Sequence, residues 1–240
     1  MSAITGPAHR TEVPKLPHSP GNGMDDEWFL KLYKGNELVP WDTGKAQHSV
    51  VEAFEQGLFT APVIDLGCGF GTNPIFLGSK GLEVTGIDLS PEAIAEAQTR
   101  LAAAGAPATE NVSFKAGSVL DLADIFSGRK PFQSALDSAL YHCLDDATQE
   151  KYLAALHKQM SSGAKLVLCA MSDRNPAENW KGPRRISEAA IRHSLREELG
   201  WRVDSVDMDT RYEVPKEVSD SVTELQAGFG WALLAVATRL

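Results

Sequence analysis

The most informative residues of the chain are consecutive: Val63-Ile64-Asp65-Leu66-Gly67-Cys68-Gly69-Phe70-Gly71. The first four form a short apolar run that contains one acid, which is typical of a strand buried on both faces. Three glycines then alternate with other residues, and glycine permits a left-handed backbone and the close approach of a ligand. The stretch therefore predicts a buried strand, a tight glycine loop and a helix, in that order.

The same alternation continues toward the C-terminus. Further strands are predicted at 84–89, 112–116, 132–136 and 165–170, and helices at 73–80, 91–104 and 147–160. Apolar strands that alternate with helices indicate a parallel sheet covered on both faces. After a predicted helix at 188–199, strands at 202–208 and 231–237 follow with no helical crossover between them, which favours antiparallel pairing. We predict an α/β, doubly wound, Rossmann-like fold whose seven-stranded, mostly parallel sheet has an antiparallel last strand.

Composition limits the possible partners. The net charge is −9, and nucleic acids and anionic membranes both require a basic face. The chain shows neither an apolar run of about 20 residues nor the apolar core of a secretory signal. Its three cysteines are widely spaced and form no CxxC pair, so we expect neither disulfides nor a metal site. We expect a cytoplasmic monomer or small homo-oligomer with no nucleic-acid or membrane partner.

Three segments are predicted along the chain. Residues 1–23 are rich in proline, glycine, serine and histidine, which indicates a flexible tail. Residues 24–60 contain two predicted helices on either side of Pro40-Trp41, the second capped by Thr43. Residues 61–240 carry the strand–helix alternation and are predicted to form the main domain.

Two acids follow the buried strands. Asp65 lies at the end of the first strand, and Asp88 lies at the end of the second. An acid in the second position can accept hydrogen bonds from both ribose hydroxyls of a nucleoside. A nicotinamide-dependent dehydrogenase would carry a third glycine where this chain has Thr72. The pattern is therefore D-x-G-x-G-x-G, followed by a second acid.

This pattern resembles motif I of the class I S-adenosylmethionine (SAM)-dependent methyltransferases, and Asp88 resembles the acid of their motif II. The resemblance implies a methyltransferase domain at 61–240, SAM as cofactor and S-adenosylhomocysteine (SAH) as product. It places Asp88 at the ribose and the following residues at the methionine portion: Asp65, Gly67, Gly69 and Gly71. It places Leu89, Ser118 and Val119 around adenine, although the family usually has Gly-Asp where this chain has Gly117-Ser118.

The loop after the fourth strand, residues 137–143, is a candidate for the chemistry. His142 titrates near neutral pH, so it could take a proton from the acceptor; the alternative is a hydrogen-bonded structural histidine. Tyr141 is predicted to orient the substrate. Asp137, at the end of the strand, faces the cofactor or has a structural role.

The segment before the glycine loop contains Val39-Pro40-Trp41-Asp42-Thr43-Gly44 and Gln47. It resembles the P-W-D-x-G-x-x-Q lid of thiol and tellurite-resistance methyltransferases. That resemblance implies that residues 24–60 form a lid and that Trp41 and Gln47 contact the methionine end of the cofactor. Trp28 and Tyr33 are predicted to contact the substrate. The alternative is that the two tryptophans only pack in the core.

A third candidate is the run from Trp180 to Ser187. Trp180 could stack on a flat ring, and Arg184 or Arg185 could bind a substrate oxygen. The alternative is a loop that enters a helix capped by Ser187 and carries two solvated arginines. This run and the Pro40-Trp41 segment also resemble mycobacterial heterocyclic toxin methyltransferases, which act on quinolone-like compounds.

These observations predict transfer of a methyl group from SAM to an oxygen or nitrogen of a small aromatic or heterocyclic acceptor. A quinolone- or quinone-like compound, methylated in a detoxification, fits that description. A thiol or chalcogen methyltransferase remains an alternative, because a thiol ionises without a histidine base. An NAD(P)-dependent oxidoreductase and a non-catalytic SAM-binding protein are alternatives of other classes.

Overall fold

The computed structural model describes residues 12–14, 23–178, 180, 182–221 and 228–240. Most of the predicted tail, 1–23, and Lys181 of the third candidate lie outside these residues. The strands β1–β8 are Val63–Leu66, Val84–Asp88, Val112–Ala116, Phe132–Ser138, Met160–Met171, Trp201–Asp207, Arg211–Glu213 and Phe229–Arg239. The helices α1–α9 are Asp26–Lys34, His48–Glu55, Thr72–Ser79, Pro91–Ala104, Ala108–Asn111, Leu122–Ile125, Asp146–Gln159, Glu188–Ser194 and Lys216–Ser221.

The strands form one mixed sheet in the order β3-β2-β1-β4-β5-β8-β6. Neighbours from β3 to β5 pair in parallel, and β8 runs antiparallel to both β5 and β6. The predicted doubly wound fold with an antiparallel last strand is confirmed. The short strand β7, which the sequence did not indicate, pairs with the beginning of β8.

The glycine loop, residues 67–71, joins β1 to α3 at the carboxyl edge of the sheet. All four residues of β1 are buried, as expected for a central parallel strand. Gly71 has φ of 77° and caps α3. A Cβ atom there would lie 2.5 Å from Cζ of Phe114, so both the backbone angle and the space require glycine.

The N-terminal segment lies against this edge. Helix α1 starts after Asp25, whose side chain accepts a hydrogen bond from Glu27 N–H, and it packs against α4. Helix α2 begins at His48 after Gln47 and has no side-chain cap, and the Thr43 hydroxyl that was predicted to cap it bonds to Lys45 O instead. Residues 12–14 were predicted to be flexible, but Glu12 accepts a hydrogen bond of 2.7 Å from Leu38 N–H.

Two other boundaries differ from prediction. Strand β5 begins at Met160 rather than 165, because Met160 is buried and pairs with Phe132. Helix α8 ends at Ser194, and a short 3-10 turn completes the segment predicted as helix to 199. Within the described residues, no helix has the length and apolarity to cross a bilayer.

Candidate active site

A cleft of about 200 Å³ opens at the carboxyl edge of the sheet. Its walls are mostly apolar and come from four parts of the chain: the N-terminal segment, the loops after β1 to β5, the turn before α8, and the β7–α9 region. Ligands of open α/β sheets bind at this edge. The cleft is therefore the candidate active site.

Asp88 lies in the cleft wall where β2 ends. Its Oδ1 accepts a hydrogen bond from Ser90 N–H at 2.9 Å, and its Oδ2 accepts one from Gly69 N–H at 2.8 Å. Burial raises the pKa of this carboxyl, and the two backbone hydrogen bonds oppose that rise. Each oxygen keeps a second lone pair, so the fixed carboxylate fits a nucleoside's two ribose hydroxyls.

Asp65 lies behind the cleft wall rather than in it. It is 1% exposed, and its Oδ2 has no hydrogen-bond partner in the structure. Burial, and then the charges of Asp137 and Asp88, raise the pKa of this carboxyl well above its usual range. A buried acceptor oxygen without a partner is costly unless a ligand supplies the donor. An ammonium group, bound directly or through water, fits this position.

Only one glycine of the loop lines the cleft. Gly67 does so, and a Cβ atom there would lie 3.1 Å from Cβ of Leu140. The amide of Gly69 is occupied by Asp88, and Gly71 caps α3 beneath Phe114. Gly69 and Gly71 therefore shape the loop and do not line the cleft, and their contact with the methionine portion stays a prediction.

The three residues predicted to surround adenine line the cleft. Leu89 is 38% exposed there, so its apolar side chain can contact a flat ligand. Ser118 and Val119 line the same wall, and the Ser118 hydroxyl accepts a hydrogen bond from Leu120 N–H at 3.1 Å. Leu120 lines the same wall and is 40% exposed.

Asp137 and Tyr141 do not line the cleft. Asp137 accepts hydrogen bonds from the backbone N–H groups of Leu140 and Tyr141 and from the Tyr152 hydroxyl. Burial raises its pKa to about 6, against these three hydrogen bonds. The Tyr141 hydroxyl donates to Ser194 at 2.8 Å. These bonds match the structural alternative stated for Asp137, and the cofactor role of Asp137 and the substrate role of Tyr141 stay predictions.

His142 lines the cleft and is hydrogen-bonded, as in the structural alternative to a base. Its Nδ1 accepts a hydrogen bond from Met171 N–H at 2.9 Å, which places the proton of the neutral ring on Nε2. Burial lowers the pKa of His142 to about 3. In this state the ring can donate a hydrogen bond from Nε2 to a ligand, and the geometry favours the structural alternative over the general base.

The N-terminal segment contributes part of the cleft wall. Trp41 and Tyr33 line it, and Trp41 Nε1–H donates to the Tyr33 hydroxyl at 3.1 Å. Trp28 packs against Trp41, with ring centroids 5.9 Å apart, and does not line the cleft, which fits the core-packing alternative. The side-chain amide of Gln47 bonds to the backbone N–H and C=O of Glu213. The substrate contact of Trp28 and the cofactor contact of Gln47 stay predictions.

The turn before α8 supplies one wall residue of the three predicted. Trp180 lines the cleft, and its Nε1–H donates to Pro183 O. Arg184 instead bonds to Leu144 O and Asp146, and Arg185 bonds to the carbonyls of Asp173 and Asn175. Neither arginine lines the cleft, and their predicted contact with the substrate stays a prediction.

Sequence reasoning missed several wall residues. Tyr212 on β7 is buried and lines the cleft, and burial raises the pKa of its phenol. The others are mostly apolar: Met24, Phe29, Leu30, Leu144, Val214 and Val218. The only signal in the sequence for Phe29 and Leu30 is the helical periodicity of apolar residues in α1, which could have indicated that they lie on one buried face. No cluster of three or more metal-binding side chains occurs in the part of the chain that is described.

Comparisons with known proteins agree with this geometry. A family model described as a methyltransferase domain matches residues 63–163. The 2-heptyl-1-hydroxyquinolin-4(1H)-one methyltransferase of Mycobacteroides abscessus is 27% identical over 206 residues, 82% of this chain and 85% of that protein.

Two solved structures are similar over most of the chain. One comes from work on the conversion of a disulfide bond into a thioacetal group during echinomycin biosynthesis; it is 28% identical with a TM-score of 0.75, covering 90% of this chain and 93% of that one. The other is the glycopeptide N-methyltransferase MtfA complexed with SAM, 19% identical with a TM-score of 0.59, covering 80% and 94%. At that identity, the second likeness concerns the fold alone.

Proposed function

We propose that this chain, which belongs to the class I SAM-dependent methyltransferases, methylates an oxygen or ring nitrogen of a small aromatic heterocycle of the quinolone type. The observation that carries the proposal is the wall around His142. It is apolar and aromatic, and it offers the neutral N–H donor of His142 in the same cleft that Tyr212 lines. The likeness to a methyltransferase named for a 1-hydroxyquinolin-4-one supports the same acceptor class.

Methyl transfer needs the acceptor atom, the methyl carbon and the sulfur in line. Bound SAM supplies an electrophilic methyl group on its sulfonium sulfur. Asp88 would hold the ribose and Asp65 would accept from the amino group, which would fix the nucleoside and amino-acid ends. The apolar walls, which include Trp180, would exclude water from the acceptor.

The protonation state of His142 restricts the chemical class of the acceptor. A neutral imidazole that carries its proton on Nε2 cannot remove a proton from the acceptor, but it can donate a hydrogen bond to an oxygen. An acceptor for this site therefore ionises near neutral pH by itself. A hydroxyl on a ring nitrogen conjugated with a carbonyl does so more readily than a simple phenol. A 1-hydroxyquinolin-4-one has such a group.

Residues 24–60 are part of the proposal. We propose that they form the lid of the cleft, because Trp41, Tyr33, Phe29 and Leu30 close its N-terminal side. Gln47 joins this lid to β7 through two hydrogen bonds with the backbone of Glu213. The acceptor is therefore enclosed between the two ends of the chain.

The experiment is an acceptor panel with SAM, followed by mass spectrometry of the products. It compares a 2-alkyl-1-hydroxyquinolin-4-one, the same quinolone without the N-hydroxyl group, a simple phenol and an arylthiol. We expect the N-hydroxy compound to be methylated with a kcat/KM at least about tenfold above the phenol. Equal turnover of the phenol would contradict the argument from His142, and turnover of none of the oxygen or nitrogen acceptors would end the proposal.

A thiol acceptor is the second candidate. A thiolate also forms without a base, and the similar structure from echinomycin biosynthesis concerns a sulfur-containing group. The arylthiol arm of the panel distinguishes the two. A strong preference for the thiol would mean that the enzyme methylates sulfur and not an oxygen of a heterocycle.

A further inference from the structure

We infer that Arg100 is a positioning residue for the cofactor: it clamps the lid loop, residues 39–45, onto the glycine loop. Arg100 lies on α4 and does not line the cleft. Its effect on the cofactor is therefore exerted through the two loops that it joins, by way of Asp42 and Phe70.

The first half of the clamp is a two-pronged ion pair. Nη1 of Arg100 lies 2.9 Å from Oδ1 of Asp42, and Nη2 lies 2.8 Å from Oδ2. Nε donates to Oε1 of Glu96 at 2.9 Å, one turn earlier on α4, so the guanidinium is fixed in one orientation. The side chains of Arg100 and Asp42 are only 27% and 17% exposed. Parallel charge-assisted hydrogen bonds with this shielding are stronger than a surface ion pair.

The second half of the clamp is a stacked contact. The guanidinium carbon of Arg100 lies 4.7 Å from the centroid of the Phe70 ring. Phe70 belongs to the glycine loop, between Gly69, which binds Asp88, and Gly71, which caps α3. A guanidinium over an aromatic face is attracted by the ring. The same side chain therefore contacts both the lid loop and the loop that holds Asp88.

The contacts continue to the cleft wall. Asp42 Oδ1 also accepts a hydrogen bond from Gly44 N–H, and Asp42 N–H donates to Val39 O at 3.0 Å, so this acid orders the lid loop. Its neighbour Trp41 lines the cleft and bonds to Tyr33. Tyr33 packs on Phe70 with ring centroids 5.2 Å apart. The ion pair, the two rings and the glycine loop form one connected unit.

A clamp of this kind keeps two cleft walls in their ligand-binding positions. A loop ordered before the ligand arrives costs less entropy on binding, and a loop held afterwards slows the departure of the ligand. We therefore expect Arg100 to affect the dissociation rate of SAM and SAH more than it affects the chemical step.

The test measures SAH binding by calorimetry and SAH dissociation by stopped-flow displacement in Arg100→Lys, Asp42→Asn and the double variant. Lysine keeps the charge but loses the paired hydrogen bonds and the flat stacking surface. We expect each single variant to release SAH about tenfold faster, and the double variant to be no worse, because the partners act as one unit. Amide hydrogen exchange of residues 39–45 in the SAH complex should rise in the same variants.

Arg192→Lys is the matched control. Arg192 also pairs with a glutamate one turn earlier on its helix, but it is about half exposed and does not line the cleft. It should leave SAH dissociation unchanged. A merely structural role for Arg100 would lower the Tm of the free protein and leave the dissociation rate and loop exchange of the complex unaltered. That result, or additive losses in the double variant, would overturn the inference.

Discussion

Three carboxyl groups, those of Asp65, Asp88 and Asp137, are buried at the ends of neighbouring strands, and burial raises the pKa of each. Their hydrogen bonds distinguish them. Asp137 has three partners and Asp88 has two, whereas Asp65 keeps an oxygen with none. Asp65 is therefore the group whose charge state a ligand can change most.

The raised pKa of Asp65 predicts pH-dependent cofactor binding. An ammonium group pairs only with the ionised carboxyl, so the bound state has the lower pKa and binding releases a proton. SAH affinity should therefore fall as the pH is lowered through the raised pKa of the free Asp65 carboxyl. Calorimetry in buffers of different ionisation enthalpy measures both the affinity and the proton release.

Two comparisons isolate this effect. In Asp65→Asn, SAH should bind about tenfold or more weakly and with no proton release from this site. Methylthioadenosine, which lacks the amino-acid portion, should bind the wild type with little dependence on pH. A proton release that persists in Asp65→Asn would assign the effect to another group.

His142 gives a second prediction at this scale. Its pKa of about 3 keeps the ring neutral across the assay range, so the pH profile should follow the ionisation of the acceptor. His142→Ala should lower kcat/KM about tenfold, because a hydrogen-bond donor is lost. The loss should be the same at every pH from 6 to 9. If the pH profile of kcat/KM loses its acid limb in the variant, His142 would instead act as the general base.

Individual residues were predictable from the sequence where a motif fixes them. Asp88 and Gly67 lie in the cleft wall as the spacing indicated, because strand ends and tight loops are local features. The partners of His142 and Gln47 were not predictable. His142 bonds to Met171, 29 residues away, and Gln47 bonds to Glu213, 166 residues away. Such pairs are fixed by sheet topology rather than by neighbouring sequence.

Among the elements, helix α3 depends most on a single backbone angle. In Gly71→Ala, the alanine must adopt φ of 77° while its Cβ atom overlaps Phe114 and crowds Ala97. We expect a loss of unfolding free energy of about 3 kcal/mol or more and a loss of SAH binding, since the loop must shift. Chemical denaturation and calorimetry measure the two effects.

Gly81→Ala is the control at the other end of the same helix. Gly81 has φ of 88°, but a Cβ atom there would meet nothing within 4 Å. It should cost about 1–2 kcal/mol from the backbone angle alone and leave SAH binding intact. If the two variants lost the same unfolding free energy, the backbone angle and not the crowding by Phe114 would explain why residue 71 is glycine.

Elements with a strong period were predicted well, and short ones were not. The central strands and α4 combine buried apolar runs with Ser90 and Pro91 as start signals. Strand β7 has three residues and depends on its pairing with β8, so no local pattern could indicate it. The missed wall residue Tyr212 lies on that strand.

At the scale of the whole molecule, a ligand that binds only the folded state should raise the Tm. SAH at about 100 times its Kd should stabilise the chain by about 2.7 kcal/mol, a shift of roughly 5–10 °C. NADPH should give no shift, because Thr72 stands where the dehydrogenase loop has its third glycine. Thermal denaturation with each compound makes the comparison.

The matching variant is Asp88→Ala, measured against its own Tm without ligand. It should lose most of the shift with SAH, because the proposed ribose contacts and the hydrogen bond to Gly69 N–H are both removed. Stabilisation by NADPH rather than SAH would favour the oxidoreductase. Binding of SAH with no acceptor turned over by any panel would favour a non-catalytic SAM-binding protein.

The walls of the cleft come from different parts of the chain, and residues 63–163, which match the methyltransferase-domain model, supply only some of them. Leu89, Asp88 and Gly67 lie inside that range, whereas Trp41, Trp180 and Tyr212 lie outside it. The match to the model therefore carries no information on about half of the cleft. We expect a chimera that exchanges residues 24–60 and 171–218 with those of a relative to change the acceptor and keep SAH binding.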